Sequence, residues 1–386
     1  MNPKIAYIAG QFPLRSETFV YREVRELRRR GWDVTCVTLR PSTDIPDHAA
    51  DLTRELLTVY GEHKLGGMSW ISVRDAILTG ESTAIAERLK LVYQSRAAGA
   101  LAKRLKALGI QHIHCHFAHA PATIGMYAAM QLGIPFSFTG HANDLFQRRV
   151  LLKRKLQRAK FVSCISHEHR KLYNSIHARP DAGYPIIRCG VDVDAFSSVS
   201  RSTQDSAPTI LTVCRLVEKK GVDTLLRAFS QLATSNAQLL IAGDGPQRGE
   251  LEKIAADTKS GHVHFLGAVS NDRVRELLQS SHIFALPCRV DRNGDKDGIP
   301  VVLMEAMACG LPVIAGDLPA IRELVIDHKT GLLVDGLRVE PTTNALRALL
   351  DDVNLQSQLG RQGRARVLEE FSLNENVTRL ERAIHN

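Results

Sequence analysis

The chain has 386 residues, 44% of them hydrophobic and 24% charged, values that sit on the averages for globular proteins and exclude collagenous, coiled-coil and mainly disordered chains. At roughly 150 residues per domain, that length holds two full cores. The formal charge of +9 is uneven: residues 1–207 carry 29 Lys and Arg against 18 Asp and Glu, the remainder 21 against 23. Two stretches concentrate it, Arg22 to Arg30 and Arg148 to Lys160, the second with seven basic residues and no acid. They read either as solvated helix faces or as attraction to anionic lipid headgroups or a phosphorylated acceptor. Nucleic acid is not expected, because no binding module appears and no aromatic residues interleave the basic runs.

No stretch reaches the roughly 18 uninterrupted apolar residues of a membrane-spanning helix; the longest candidate, Ile299 to Ala315, carries Glu305 in its middle. The opening MNPKIAYIAGQFP has one lysine and a short apolar run, too little for a secretory segment. Seven cysteines at 36, 115, 164, 189, 214, 288 and 309 form no CxxC pair, which argues against a disulfide framework or a structural zinc site. The expected compartment is the cytoplasm.

In chain order, short Val- and Ile-rich runs alternate with segments of helical period, the pattern of βαβ units around a parallel sheet. Strands are predicted at 4–9, 33–39, 111–116, 135–139 and 161–164, with helices near 17–30, 84–107, 121–132 and 147–158. The stretch 41–82, with Pro41, Pro46 and Gly66-Gly67, reads as an insertion. A polar, Ser-rich passage ending at Pro208 marks a linker. The pattern then restarts with strands at 209–215, 237–243, 263–267, 282–287, 312–316 and 331–334. Helices are predicted at 221–234, after Pro246, at 301–309, 341–352, 355–370 and 373–385. The division is an N-terminal domain 1–190, a linker 191–208, a C-terminal domain 209–370 and a terminal segment 371–386. Two doubly wound α/β domains facing across a cleft would bind ligand beyond the carboxyl ends of their strands.

The most informative segment is PCRVDRNGDKDGIPVVLMEAMACG, 287–310. Pro300 fits a first helical turn, and the amides of Gly298 through Val302 would form a phosphate cradle at a positive helix end. Asp297 and Glu305, eight residues apart, are a carboxylate pair suited to gripping hydroxyls. The alternation Asp291, Asn293, Asp295, Asp297 resembles a calcium loop but fails at the sixth position, Lys296, and the twelfth, Val302. In TVCRLVEKKGVDTLL, Arg215 and Lys220 follow a strand and suit a diphosphate, the first by forked hydrogen bonds and the second as a point charge. The turn Gly243-x-Gly245-x-x-x-Gly249 misses the GxGxxG spacing, so no nicotinamide site is supported. In the first half, His141 follows a strand and Gly140 in SFTGHANDLF. Gly10 can approach a ligand closely, and Ser16 is a candidate N-cap. His112, His114 and His116 alternate onto one strand face with His119 beyond, yet no carboxylate stands near in sequence to complete a zinc site.

Taken together, GQFPLRSETF, HCHF, TGHANDLF, RCGVDVDAF, CRLVEKKGVDTLL, AGDGP, HFLGAV and DGIPVVLMEAMACGLPVIA resemble, in order and over nearly the whole chain, the retaining glycosyltransferases of family 4. The likeness is to bacterial exopolysaccharide, colanic-acid-type and lipopolysaccharide sugar transferases. The resemblance implies a GT-B fold, an α/β architecture of two Rossmann-like domains. It implies a UDP- or GDP-type nucleotide-sugar donor on the C-terminal domain, and a glycan or lipid-diphosphate-linked acceptor on the basic N-terminal one. Under it, Arg215, Lys220 and the amides of Val301 and Val302 would hold the diphosphate, with Gly10 close by. Glu305 would take the ribose, Asp297 the transferred sugar, and His141 would sit beside the reacting centre. No metal and no cofactor are implied, and residues 373–385 would return to the first domain. Two departures stand out: Asp297 replaces the usual first Glu of an EX7E pair, and Ala142 replaces a glycine after His141. A basic N-terminal domain would visit the anionic inner face of the plasma membrane. A non-catalytic two-domain sugar- or nucleotide-binding protein is the alternative.

Overall fold

The computed structural model describes residues 2–15, 17–60, 85–141, 143–146, 149–196, 207–232, 236–257 and 262–386. Ser16, Gly66-Gly67 and Ala142 lie outside them. The chain divides into two compact units, Met1–Arg188 with Asn376–Asn386, and Cys189–Glu375.

The first unit runs β1 (Ile5–Gln11), α1 (Thr18–Arg29), β2 (Val34–Arg40), β3 (Leu57–Thr58), α2 (Ile85–Ala107), β4 (His112–His116), α3 (Ala120–Leu132), β5 (Phe136–Thr139), α4 (Asn143–Phe146), α5 (Leu152–Arg158), β6 (Phe161–Ser163) and α6 (His167–Ile176). Its six strands are parallel in the order β3-β2-β1-β4-β5-β6. Both faces of such a sheet are covered by crossover helices, so its strands read as buried runs rather than as alternations. Ile5, Ile8, Val37, Ile113, Cys115 and Phe138 are accordingly buried.

The second unit runs β7 (Thr209–Val213), α7 (Val222–Ser230), β8 (Gln238–Ala242), α8 (Arg248–Asp257), β9 (Val263–Gly267), α9 (Asn271–Ser280), β10 (Ile283–Leu286), α10 (Val301–Ala308), β11 (Val313–Gly316), β12 (Leu332–Val334), α11 (Val339–Asp351), α12 (Val353–Glu370) and the start of α13 (Leu373–His385), up to the unit boundary. The sheet order is β12-β11-β10-β7-β8-β9. Each sheet is doubly wound, with its strand order reversing at the first strand of the unit. The reversals fall between β1 and β4, paired Ile8 to Cys115, and between β7 and β10, paired Ile210 to Ile283. Loops leaving those four strands are where a doubly wound sheet opens a crevice.

The Gly243 turn owes its glycine to packing. Gly243 has φ +130°, and a Cβ there would lie 1.9 Å from the Cys214 carbonyl oxygen. Its backbone is thereby free to run against the end of β7, a structural reason for the glycine.

Several elements differ from expectation. The helix predicted at 147–158 is shorter, α5, preceded by the single turn α4. The stretch 41–82 contributes a 3-10 turn at Asp47–Thr53 and edge strand β3 before leaving the described residues. Two short polar helices, α6 and α9, add to those predicted. The start of the expected linker is folded: Val191 bridges Ser372, and Val191 and Phe196 are buried in the second unit's core. The apolar residues Val191, Val193 and Phe196 explain that, and residues 197–206 lie outside the described set. Beyond Glu375, α13 belongs to the first unit, where Glu381 accepts from the Trp32 indole at 2.6 Å and Lys160 donates to the Ile384 carbonyl at 2.8 Å.

Candidate active site

The second unit gathers its charged residues on the loops leaving β7 and β10, one on each side of its topological reversal. After β7, a single 3-10 turn at Glu218–Lys220 ends at Gly221, φ +65°, where a Cβ would meet the Pro287 carbonyl at 2.1 Å. That close approach presses the Lys219-Lys220 turn onto the loop after β10. Lys220 Nζ pairs with Asp297 Oδ2 at 2.7 Å, and Lys219 Nζ lies 2.9 Å from Asp295 Oδ2 and 3.4 Å from Asp297 Oδ1. The Cys288 thiol donates to Asp297 Oδ2 at 3.2 Å.

Burial works to raise the Asp297 carboxyl, but the Lys220 and Lys219 ammoniums and the bonds from Lys220 and Cys288 outweigh it, leaving it below the ordinary aspartate range. Burial would likewise lower Lys220, and the Asp297 charge overrules it, so the ammonium is held more firmly than usual. The acids that resembled a calcium loop are all engaged by protein. The Asp291 carboxylate accepts from the amides of Asn293 and Asp295, both at 2.9 Å, while Asp295 and Asp297 face lysines.

The pairing of Lys220 with Asp297 is a finding that spacing does not reveal, since the resemblance gives the two to different parts of a donor. Arg215 stands apart: it is exposed and meets no carboxylate among the described residues. Pro300 takes the N-cap position of α10, and the amides of Leu303 and Met304 turn back to the Pro300 carbonyl at 3.1 and 3.4 Å. The N–H groups of Val301 and Val302 precede them at the positive end of the helix, a few residues after Gly298. Glu305 lies a turn further on, 7% exposed.

The first unit places Gly10 and His141. Gly10 lies at the end of β1, where a Cβ would meet no atom within 4 Å, and it borders a cavity of about 700 Å³. Arg40, Lys90, His119 and the stacked rings of Tyr60 and Tyr93, 5.4 Å apart, line the same cavity. His141 follows β5 and packs between Phe19 and Phe117, ring centroids 4.5 and 4.6 Å away. Phe117 has φ +74°, a conformation that costs a non-glycine residue about 1–2 kcal/mol. Asp144 accepts from the His141 amide at 3.0 Å and from the Ala118 amide at 2.6 Å. The fully buried Lys155 donates to the carbonyls of His119 and Val150 at 3.2 and 2.8 Å, and also to that of Ala118. Asp144 is therefore committed to holding backbone.

The histidine strand does find a carboxylate, contrary to expectation. Glu23, from α1, lies 3.2 Å from His116 Nε2, and His116 Nδ1 lies 3.2 Å from His141 Nε2. Glu23, His114 and His116 bring ligand atoms within 4.8 Å of one another, the spacing of a metal site. All four ring nitrogens are nevertheless hydrogen-bonded, those of His114 to Ser137 at 2.8 Å and Thr139 at 3.1 Å. His119 is not part of this group; its ring stacks on Phe117. Burial, and then the neighbouring histidines, push His141 and His114 well below the ordinary histidine range, so both are neutral imidazoles. Glu17, the residue just before α1, has its carboxyl pushed up to about 7 by burial and then by the charge of Asp144.

Much of the basic charge is spent internally. Arg29 and Arg30 both pair with Glu26 at 2.7 Å, Arg30 reaches Glu381 at 2.5 Å, Arg25 reaches Asp51 at 2.5 Å, and Lys155 is buried. Arg29, Lys153 and Arg158 stay exposed within the two stretches, and further exposed cations, Lys90, Arg96, Lys103 and Lys106, lie on α2.

Two Rossmann-like units, each a six-stranded doubly wound sheet, define a GT-B α/β fold. The family model described as "Glycosyltransferase Family 4" matches residues 16–195, and that for "Glycosyl transferases group 1" matches 196–366. Together these matches place the chain among the family 4 glycosyltransferases. It is 37% identical over 196 residues to a GDP-mannose-dependent monoacylated alpha-(1-6)-phosphatidylinositol monomannoside mannosyltransferase of Corynebacterium glutamicum, covering 47% of this chain and 51% of that one. The chain thus spans about half the length of that relative. It is 27% identical to the amylovoran biosynthesis glycosyltransferase AmsK of Erwinia amylovora, covering 90% and 89%. The crystal structure of Anabaena Alr3699/HepE in complex with UDP shares the fold, with a TM-score of 0.75 at 15% identity over 99% of both chains. No helix among the described residues is long and apolar enough to cross a membrane.

Proposed function

We propose that the chain is a retaining, metal-independent glycosyltransferase. It moves a sugar from a nucleotide-diphosphate donor to a glycan or lipid-diphosphate-linked acceptor in the synthesis of a bacterial surface polysaccharide or glycolipid. The observation that carries this reading is the convergence of Lys219, Lys220 and the first amides of α10 at the reversal point of the second sheet, with Arg215 exposed on the same loop after β7. Fixed cations and helix-terminal amides stabilise charge as it builds on a departing diphosphate without needing a metal. In this scheme the anomeric carbon–oxygen bond breaks toward the diphosphate and the acceptor oxygen bonds on the same face. The acceptor's proton passes to the departing phosphate oxygen, so no protein base is assigned. Glu305 takes the ribose hydroxyls, Asp297 the transferred sugar, and His141 a sugar hydroxyl.

The relative named for GDP-mannose and the neighbour crystallised with UDP support a nucleotide donor and frame the test. Incubation with a panel of UDP- and GDP-sugars is expected to give transfer, or slow hydrolysis, with one donor and with the anomeric configuration kept. The matching nucleoside diphosphate at about 100 times its dissociation constant should add roughly 2.7 kcal/mol of stability. Activity should persist in excess EDTA. A chain that binds a nucleotide but neither transfers nor hydrolyses any donor would be the non-catalytic binding protein instead.

The cavity beside Gly10 suits the acceptor, with aromatic walls for a sugar face and Arg40 and Lys90 for a phosphate. Gly10→Ala should keep its melting temperature, because the added methyl meets open space, while acceptor KM rises about tenfold or more. The exposed cations of α2, with Leu89 at 65% and Tyr93 at 46% exposure, suit an anionic lipid surface. Sedimentation with vesicles containing anionic lipid should show binding that falls with added salt. Binding that is absent, or indifferent to salt, removes the membrane from the reading.

A further inference from the structure

We propose that Glu23, acting through His116, is a positioning residue that fixes the ring plane and tautomer of His141, with the proton on Nε2 and the lone pair on Nδ1. The inference rests on the role given to His141 above. Its basis is a chain of buried contacts. Glu23 Oε1 accepts from the Tyr7 hydroxyl and stands 3.2 Å from His116 Nε2; His116 Nδ1 stands 3.2 Å from His141 Nε2. Glu23, His116 and His141 are 8%, 2% and 8% exposed, so water does not compete for these bonds. The His116 and His141 ring planes are 17° from parallel, with centroids 5.4 Å apart. With the nitrogens at 3.2 Å, that separation is an edge-to-edge N–H···N bond between nearly coplanar rings rather than stacking.

The direction of the protons follows from the donor inventory. A carboxylate only accepts, so His116 must present N–H at Nε2 to Glu23. In the tautomer with that proton on Nε2, His116 has its lone pair on Nδ1, and the bond to His141 then forms only if His141 Nε2 carries the proton. His141 is itself neutral, so its remaining nitrogen, Nδ1, is an acceptor. An acceptor there is the form that can receive a hydrogen bond from a sugar hydroxyl. Phe19 and Phe117 pack against the ring, and the two amide bonds to Asp144 fix the backbone beneath. Glu23 completes the set by deciding which nitrogen is which. A metal at Glu23, His114 and His116 would have to break this chain and free a nitrogen of His114 from Ser137 or Thr139.

The test reads ring-nitrogen shifts by long-range 1H–15N correlation on the full chain, with His141 assigned from the signals lost in His141→Ala. The expected wild-type pattern is protonated Nε2 and unprotonated Nδ1 at His141. Protonated Nδ1, or an even mixture, overturns the proposal. Glu23→Gln keeps the shape but offers an amide that can donate or accept, so the His141 signals should move toward the other tautomer. Tyr7→Phe, which leaves the carboxylate in place, should retain the wild-type pattern. A Glu23→Gln spectrum identical to wild type also overturns the proposal. The wild-type spectrum decides even if a variant fails to fold, and it answers whatever the donor proves to be. Once a donor is identified, Glu23→Gln should lower kcat about tenfold with donor KM within about twofold, the split of a group acting through another.

Discussion

Lys220→Ala is expected to lower turnover about 10²–10³-fold while the chain still folds. That is the cost of removing one fixed donor from a developing anion, about 2.7–4 kcal/mol in the barrier. The ammonium has a second duty, because it also neutralises the buried Asp297 at 2.7 Å. Removing it leaves that carboxylate with the Cys288 thiol and with Lys219 at 3.4 Å. The loss of stability should therefore be about 1–3 kcal/mol rather than the full cost of an orphaned charge. Lys220→Arg keeps charge but not shape, and it should recover stability more than turnover. An unchanged kcat in Lys220→Ala removes Lys220 from the site.

The same pair sets a pH dependence whose sign is fixed. The folded Asp297 carboxyl is lowered, so its stabilisation is present above the unfolded value of 3.8 and is lost as pH falls through the folded value. The folded Lys220 ammonium is raised, so its share is complete below the unfolded value of 10.5 and is lost as pH rises through the folded value. Urea midpoints should form a plateau between these limits, and in Lys220→Ala, where that ammonium no longer offsets the burial of Asp297, the Asp297 share of the acid limb should shrink or reverse.

Legibility in the sequence followed burial. Strands of parallel sheets are apolar on both faces, so β1, β2, β4, β7 and β8 announce themselves as short Val- and Ile-rich runs. The helices α6 and α9 did not, because HEHRKLYNSI and NDRVRELLQS are polar and short. A capping signal was nonetheless present: Ser166 accepts from the His169 amide and Ser270 from that of Arg273. The site was legible wherever chemistry lay on one loop, as with Pro300 ahead of Val301, Val302 and Glu305. It was illegible wherever partners came from distant segments. Lys220 and Asp297 are 77 positions apart in the chain, Glu23 and His116 are 93 apart, and nothing in local spacing joins them. Residue type could identify the charges. Only the sheet order could say which charges meet.

Asp144→Ala is expected to cost about 3–5 kcal/mol of stability, the range for removing one partner from a buried charged network. Three groups depend on that carboxylate. The amides of Ala118 and His141 donate to it, and the charge of buried Lys155 is felt by it. Ala118 is held at both ends, its amide by Asp144 and its carbonyl by Lys155, directly after Phe117 with its φ of +74°. The network therefore supports the strained conformation that sets the Phe117 ring against His141. Asp144→Asn keeps one acceptor oxygen and the side-chain volume, so it should lose less stability than the alanine variant. Lys155→Met removes an ammonium that three carbonyls and the Asp144 charge together make tolerable. If the two charges act as one unit, urea unfolding of Asp144→Asn, Lys155→Met and the double variant should show a coupling of about 0.5–3 kcal/mol, with the double variant more stable than the sum of its parts predicts. Additive losses would mean that Lys155 answers only to the carbonyls, and that Asp144 holds the His141 loop by its two amide bonds alone.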